Sequence, residues 1–199
     1  MKKVLFAISA ALLLTVFAAA QAQDAPYQVN WYANRNNSAG ADQFLRIINT
    51  GVIGNPLSAD EGRICANVYA FDDTQEMLEC CTCPITANGL LTLSLKNDIM
   101  QNPLTGLPAP NTGVIKIVGT NQRPTCNPTA ISVVNSTAGL VAWQGQVEQP
   151  TNGAFVTAVT QYAPATFTVQ EANFLGQTCS FVQYLGSGKG VCTCGTGSH

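Results

Sequence analysis

Hydrophobic and polar residues alternate along this chain in short runs. In LLTLSL (90–95), Leu91, Leu93 and Leu95 stand against Thr92 and Ser94. That is the period of two that puts every second side chain on one face of a strand. The same run is also compatible with a helix. Further β-runs are YQVNWY (27–32), which alternates weakly, and QFLRIINTG (43–51), which ends on a turn signal. ICANVYAF (64–71), VIKIV (114–118) and AISVVN (130–135) follow. Strands of this length and spacing predict a sandwich or barrel-like fold.

The clearest hairpin is LVAWQGQVEQPTNGAFVTAVTQY (140–162). Val141, Trp143 and Val147 share one face, while Ala142, Gln144, Gln146 and Glu148 share the other. The apolar row predicts Trp143 in the core. Pro150, Thr151, Asn152 and Gly153 make the turn, and Phe155, Thr157 and Val159 share a face on the return. One segment has helical spacing instead. In TVQEANFLGQTCSFVQYLG (168–186), Phe174, Leu175, Cys179, Phe181, Val182 and Leu185 recur every three or four residues. Thr168 and Glu171 form a capping box and Gly186 suits the position just past the end, so a helix is predicted over 169–185. Gly176 works against it.

Residues 96–113 are rich in Asn, Pro and Gly and read as a long loop within one domain, since neither half alone supplies a core. The first 22 residues read as a secretory leader. Lys2 and Lys3 precede the apolar run VLFAISAALLLTVFAAA, and Ala20-Gln21-Ala22 fits a cleavage site. No later stretch is long and apolar enough to cross a bilayer. The predicted organisation is therefore a leader (1–22), an N-terminal extension (23–42) and a single β-rich domain (43–199). The expected fold is a mainly antiparallel β-sandwich, immunoglobulin-like or pilin-like, with one C-terminal helix and disulfide staples.

Composition narrows the function. Charged residues make up 10% of the chain, against about 25% in an average soluble domain. Of nine Lys and Arg, Lys2 and Lys3 leave with the leader, so seven scattered basic residues face 11 acidic ones. No basic patch exists to hold nucleic acid. Eight cysteines, Cys65, Cys80, Cys81, Cys83, Cys126, Cys179, Cys192 and Cys194, form an even set that an exported protein would pair as disulfides. Cys80 and Cys81 are neighbours and bond elsewhere. In an extended segment Cys81 and Cys83 share a face and Cys80 opposes them. One simple pairing cross-links the CTC at 81–83 with the CTC at 192–194. A C-x-C spacing is tighter than that of structural zinc sites, and no metal is expected.

Other candidate chemistry falls away. GSGK (186–189) lacks the first glycine and the hydroxyl of a phosphate-binding loop, and it follows a helix rather than a strand. Its glycines instead let the chain turn toward its cysteines. Asp72, Asp73, Glu76 and Glu79 are the densest acidic stretch, with Asp60 and Glu61 upstream, and lack calcium-loop spacing. They fit a solvated hairpin tip. The single histidine is His199 at the terminus, so a Ser-His-Asp or Cys-His arrangement has no base in the body of the chain. No catalytic residue and no cofactor is predicted.

RICANVYAFDDTQEMLECCTC, NDIMQNPLTG and CSFVQYLGSGKGVCTCG together resemble a group of small secreted cysteine-rich bacterial proteins of uncharacterised function. That resemblance implies an exported, disulfide-bonded domain and no activity. A looser similarity is to fimbrial subunits, incomplete β-sandwiches finished by a neighbour's strand. It implies that residues 23–41, with Tyr27, Val29 and Trp31 as the assembly residues, serve as a donor strand; the alternative for this segment is an ordinary edge strand or a loose terminus. The chain departs from that pattern in its eight cysteines and in its non-alternating C-terminus. The expected function is a non-enzymatic extracellular or cell-surface subunit that self-associates, as a filament or surface layer, with other cell-surface proteins as further partners. The alternative is a monomeric secreted binding module for a glycan, protein or small ligand, with Trp31, Tyr32 and Tyr162 as its first contacts if exposed.

Overall fold

A computed structural model describes residues 25–195 apart from 56, 59, 150–152 and 187. The predicted leader, His199 and most of the 150–153 turn lie outside the described residues. Two antiparallel sheets pack face to face. Their strands are β1 (Tyr27–Tyr32), β2 (Phe44–Asn49), β3 (Ile64–Asp72), β4 (Met77–Ile85), β5 (Leu90–Ser94), β6 (Gly113–Thr120), β7 (Leu140–Glu148), β8 (Val156–Gln161) and β9 (Ala163–Pro164). One sheet has the order β4-β3-β6-β1-β9 and the other β5-β2-β7-β8. The chain passes from β8 in one sheet to β9 in the other within two residues, so a single stretch ties the layers together along that side.

The core follows from alternation. Ala66, Val68 and Ala70 of β3, Ile115 and Ile117 of β6, and Leu91 and Leu93 of β5 meet between the sheets. Leu45 and Ile47 of β2 and Ala142 of β7 complete that layer. The predicted helix forms as α1 (Val169–Leu185), and the Thr168 side chain accepts the Glu171 N–H. It lies on the outer face of the five-stranded sheet, where Leu175, Cys179 and Val182 cluster with Tyr27, Tyr69, Phe71 and Val118. Gly176 is what allows that approach. A Cβ there would stand 2.8 Å from the Thr129 carbonyl oxygen, a backbone atom.

Three sequence expectations change. AISVVN is a turn, not a strand: Asn135 Oδ1 accepts the Ser132 N–H at 2.8 Å, and the Asn135 N–H is donated to Ser132 Oγ at 3.2 Å. These local side-chain bonds compete with ladder pairing. The fold also starts upstream of residue 43, because β1 pairs along its whole length with β6. Residues 27–32 pair within the sheet of their own chain. Finally, the hairpin's period is right and its face is inverted. Ala142, Gln144 and Gln146 point inward, and Trp143 stands half-buried on the outer face. Each inward glutamine finds a partner for one end of its amide: the Tyr162 hydroxyl is donated to Gln144 Oε1 at 2.7 Å, and Gln146 Nε2 donates to the Trp31 carbonyl, while Gln144 Nε2 has no partner among the described residues.

Gly176→Ala gains about 1 kcal/mol of helix propensity but crowds a backbone carbonyl, and overpacking typically costs about 1–3 kcal/mol. The expected net effect is a lower denaturation midpoint. An unchanged or raised midpoint would show that α1 can move off the 127–131 loop freely.

Candidate interaction surface

The cysteines of β4 work on two faces at once. Cys80 points outward to Cys179 of α1, with Cα atoms 5.8 Å apart. Cys81 and Cys83 point inward and join Cys192 and Cys194. The predicted cross-link between the two CTC segments is therefore present, and Cys65 pairs with Cys126. No cysteine is free.

The GSGK segment performs the turn that this pairing needs. The Lys189 N–H is donated to the Gly186 carbonyl at 2.8 Å, and the Gly190 N–H to the Asn102 carbonyl at 2.8 Å. Gly188 and Gly190 have φ of 102° and 71°, in the left-handed region that favours glycine. The Cys80 N–H then reaches the Gly190 carbonyl at 3.0 Å, and Val191 bridges Cys80 in parallel. The tail so covers the outer edge of β4. It continues toward the β5 edge of the other sheet, where the Thr193 N–H is donated to the Asp98 carbonyl at 2.9 Å.

The acidic stretch has split roles. Asp72 Oδ1 accepts the N–H groups of Thr74 and Glu76 at 2.9 and 2.8 Å, closing the β3–β4 turn as the sequence suggested. Glu79 is instead fully buried on the inner face of β4, and nothing in its sequence setting distinguishes it from its neighbours. Its Oε1 accepts the Asn102 N–H at 2.8 Å, and its Oε2 has no partner among the described residues. Burial pushes this carboxyl from its ordinary value of 4.5 up to about 7, against the opposing pull of the Asn102 N–H and Arg35. Asn102 in turn holds Gly190, so the carboxyl lies two bonds from the tail.

Of the residues expected to bind, Tyr32 and Tyr162 are buried, and Tyr27 is buried with its hydroxyl donated to Glu171 Oε1 at 2.8 Å. Lys116 Nζ donates to the same oxygen at 2.7 Å. Val29 is half-buried. Trp31 alone of this set is exposed, at 47%, in a cleft shared with Val29, Val114, Gln161 and Ala163.

Other exposed apolar side chains lie on α1, at Phe181, Tyr184 and Leu185, in loops, at Leu57, Leu107 and Val134, and at β8. Across β2, β7 and β8 the register aligns Phe44, Gly145 and Val159. The Phe44 ring covers Gly145, where a Cβ would meet ring carbons at 2.3 Å. Arg46 stacks over Phe44 at 4.4 Å, and Trp143 and Val159 line the same hollow. Val159 is 61% exposed and Val156 48%. β8 ends its sheet, and no strand among the described residues pairs with its outer side. Sequence reasoning missed this because an edge is a property of topology. VTAVTQ reads like any other strand.

No family model, curated protein or solved structure matches this chain. Among the described residues, no helix is long and apolar enough to cross a membrane.

The buried Glu79 gives a pH signature. Below about pH 4.5 the carboxyl is neutral in both folded and unfolded chains. Between there and about 7 the unfolded chain releases a proton that the folded chain keeps, so this group lowers stability as pH rises. Glu79→Gln keeps an acceptor for Asn102 and removes the penalty. The variant's gain in melting temperature over the parent should be larger at about pH 8 than at about pH 5. Equal gains at both would contradict the assignment.

Proposed function

We propose that this chain is a non-enzymatic structural protein, exported to the cell surface or beyond, whose β-sandwich associates with further copies of itself. The observation that carries this reading is the contrast between edges. The tail covers β4 covalently, whereas β8 is uncharged and no strand among the described residues pairs with its outer side. Natural edge strands are usually blunted by charge, proline, a bulge or a covering segment. Three further features support the reading. Four disulfides fit an oxidising compartment, and the N-terminal sequence reads as a leader. The low charge lets copies approach without repulsion. The ionisable groups near the hairpin tip are committed to a turn, in Asp72, or to the interior, in Glu79.

The likeness to small secreted cysteine-rich proteins agrees with this reading. The fimbrial likeness agrees in part: β1 fills its own sheet, so association proceeds at an edge rather than by filling a missing strand. A filament or surface layer is the extended form of such association. A second reading, a monomeric binding module for a glycan, protein or small ligand, is favoured by exposed Trp31 in its cleft.

Size-exclusion chromatography and negative-stain electron microscopy of the oxidised, leader-free protein separate the two. The expected result is an elution volume that shifts to larger species with concentration. A monomer at every concentration would overturn self-association and favour the binding module.

A further inference from the structure

Resting on the self-association reading, we propose that the elementary contact is a two-fold antiparallel pairing of β8 with β8 of a second copy, with Val159 on the two-fold axis. Among the described residues the other edges of the sandwich are each at least partly covered. Residues 190–194 cover β4. At the β5 edge, Gly195 sits so close that a Cβ would lie 3.4 Å from the Thr92 carbonyl oxygen. On the far side of the five-stranded sheet β9 is two residues long and contains Pro164, which has no N–H to offer. Beside it, the Trp31 carbonyl is already taken by Gln146.

Hydrogen bonding fixes which groups of β8 face outward. The Tyr162 N–H is donated to the Ala142 carbonyl at 2.9 Å, and Trp143 is opposite Gln161. In an antiparallel ladder inward and outward residues alternate. Val156, Ala158 and Thr160 therefore bond to β7, and Thr157, Val159 and Gln161 present N–H and C=O to the outside. An antiparallel edge is complementary to itself about a two-fold axis. Centring that axis on Val159 uses all three outward residues: Val159 meets Val159, and Thr157 meets Gln161 at either end. A shift by one residue in either direction uses fewer of them or runs into Ala163, which already pairs with β1. The side chains suit this register. An apolar pair sits at the centre, polar uncharged pairs sit beside it, and no like charges oppose each other. The result is one continuous sheet across two copies. Because the contact closes on itself, a filament or layer requires a second, different contact.

Charge swapping at the axis tests the proposal. Val159→Lys places two ammonium groups face to face, and Val159→Glu two carboxylates. Each variant should weaken association at least about tenfold. An equimolar mixture should restore it, with native mass spectrometry showing the mixed pair and little of either self-pair. Val159 is exposed, so circular dichroism and the disulfide pattern should match the parent. As an independent variant, Thr157→Lys with Gln161→Glu in one chain creates two complementary pairs across the axis and should strengthen association. Variants that associate like the parent would overturn the β8 contact while leaving self-association intact. Dissociated single variants whose mixture stays monomeric would overturn the two-fold register. A parent that is monomeric at every concentration would remove the underlying reading and this contact with it.

Discussion

The fold depends on the covalent attachment of its last described residues to β4. Cys80, Cys81 and Cys83 sit on one strand, and the alternation of that strand sends one sulfur to α1 and two to the tail. The bridge from Cys80 to Cys179 closes a separation of 99 residues, and in the chain-entropy picture a loop of that length is restrained by about 4–5 kcal/mol. The two tail bridges each span 111 residues. They enclose nearly the same loop, so the second adds little entropy. Its effect is to fix the direction of the tail across the space between β4 and β5.

That attachment makes the two sides of the sandwich unequal. On the tail side, the Cys80 N–H, the Asn102 carbonyl and the Asp98 carbonyl all find partners in residues 190–193. On the opposite side, the passage from β8 to β9 joins the layers, and no strand among the described residues pairs with the outer side of β8. The low charge of the chain sharpens the difference. Interior glutamines and surface threonines take the polar roles, so β8 carries no ionised residue that would repel another strand. The inequality of edges is thus a consequence of where the disulfides fall.

Much of this was legible in the sequence, for identifiable reasons. Short alternating, β-branched or continuous apolar runs located seven of the strand regions, the Thr168–Glu171 box located the start of α1, and parity within CCTC separated the partner of Cys80 from those of Cys81 and Cys83. What failed is equally specific. The face of β7 was inverted because Gln144 and Gln146 are hydrogen-bonded inside, by residues 18 and 115 positions away in the chain, and polarity alone cannot announce such partners. Gly176 looked like a weak helix residue until its contact with the 127–131 loop gave it a role. The burial of Glu79 and the openness of β8 were invisible, since both depend on which strand lies beside which.

We propose that the tail seals one edge of the sandwich and that β8 is left for a second copy. Residue-resolved amide hydrogen exchange, measured across a range of protein concentrations, addresses this directly. The Cys80 amide should exchange slowly at every concentration. The Thr157, Val159 and Gln161 amides should exchange fast in dilute protein and slow as concentration rises. Protection of Val159 in the most dilute sample would mean that the chain covers its own β8. Exchange of Val159 that stays fast at the highest concentration would mean that no copy pairs there, and either result would contradict the account.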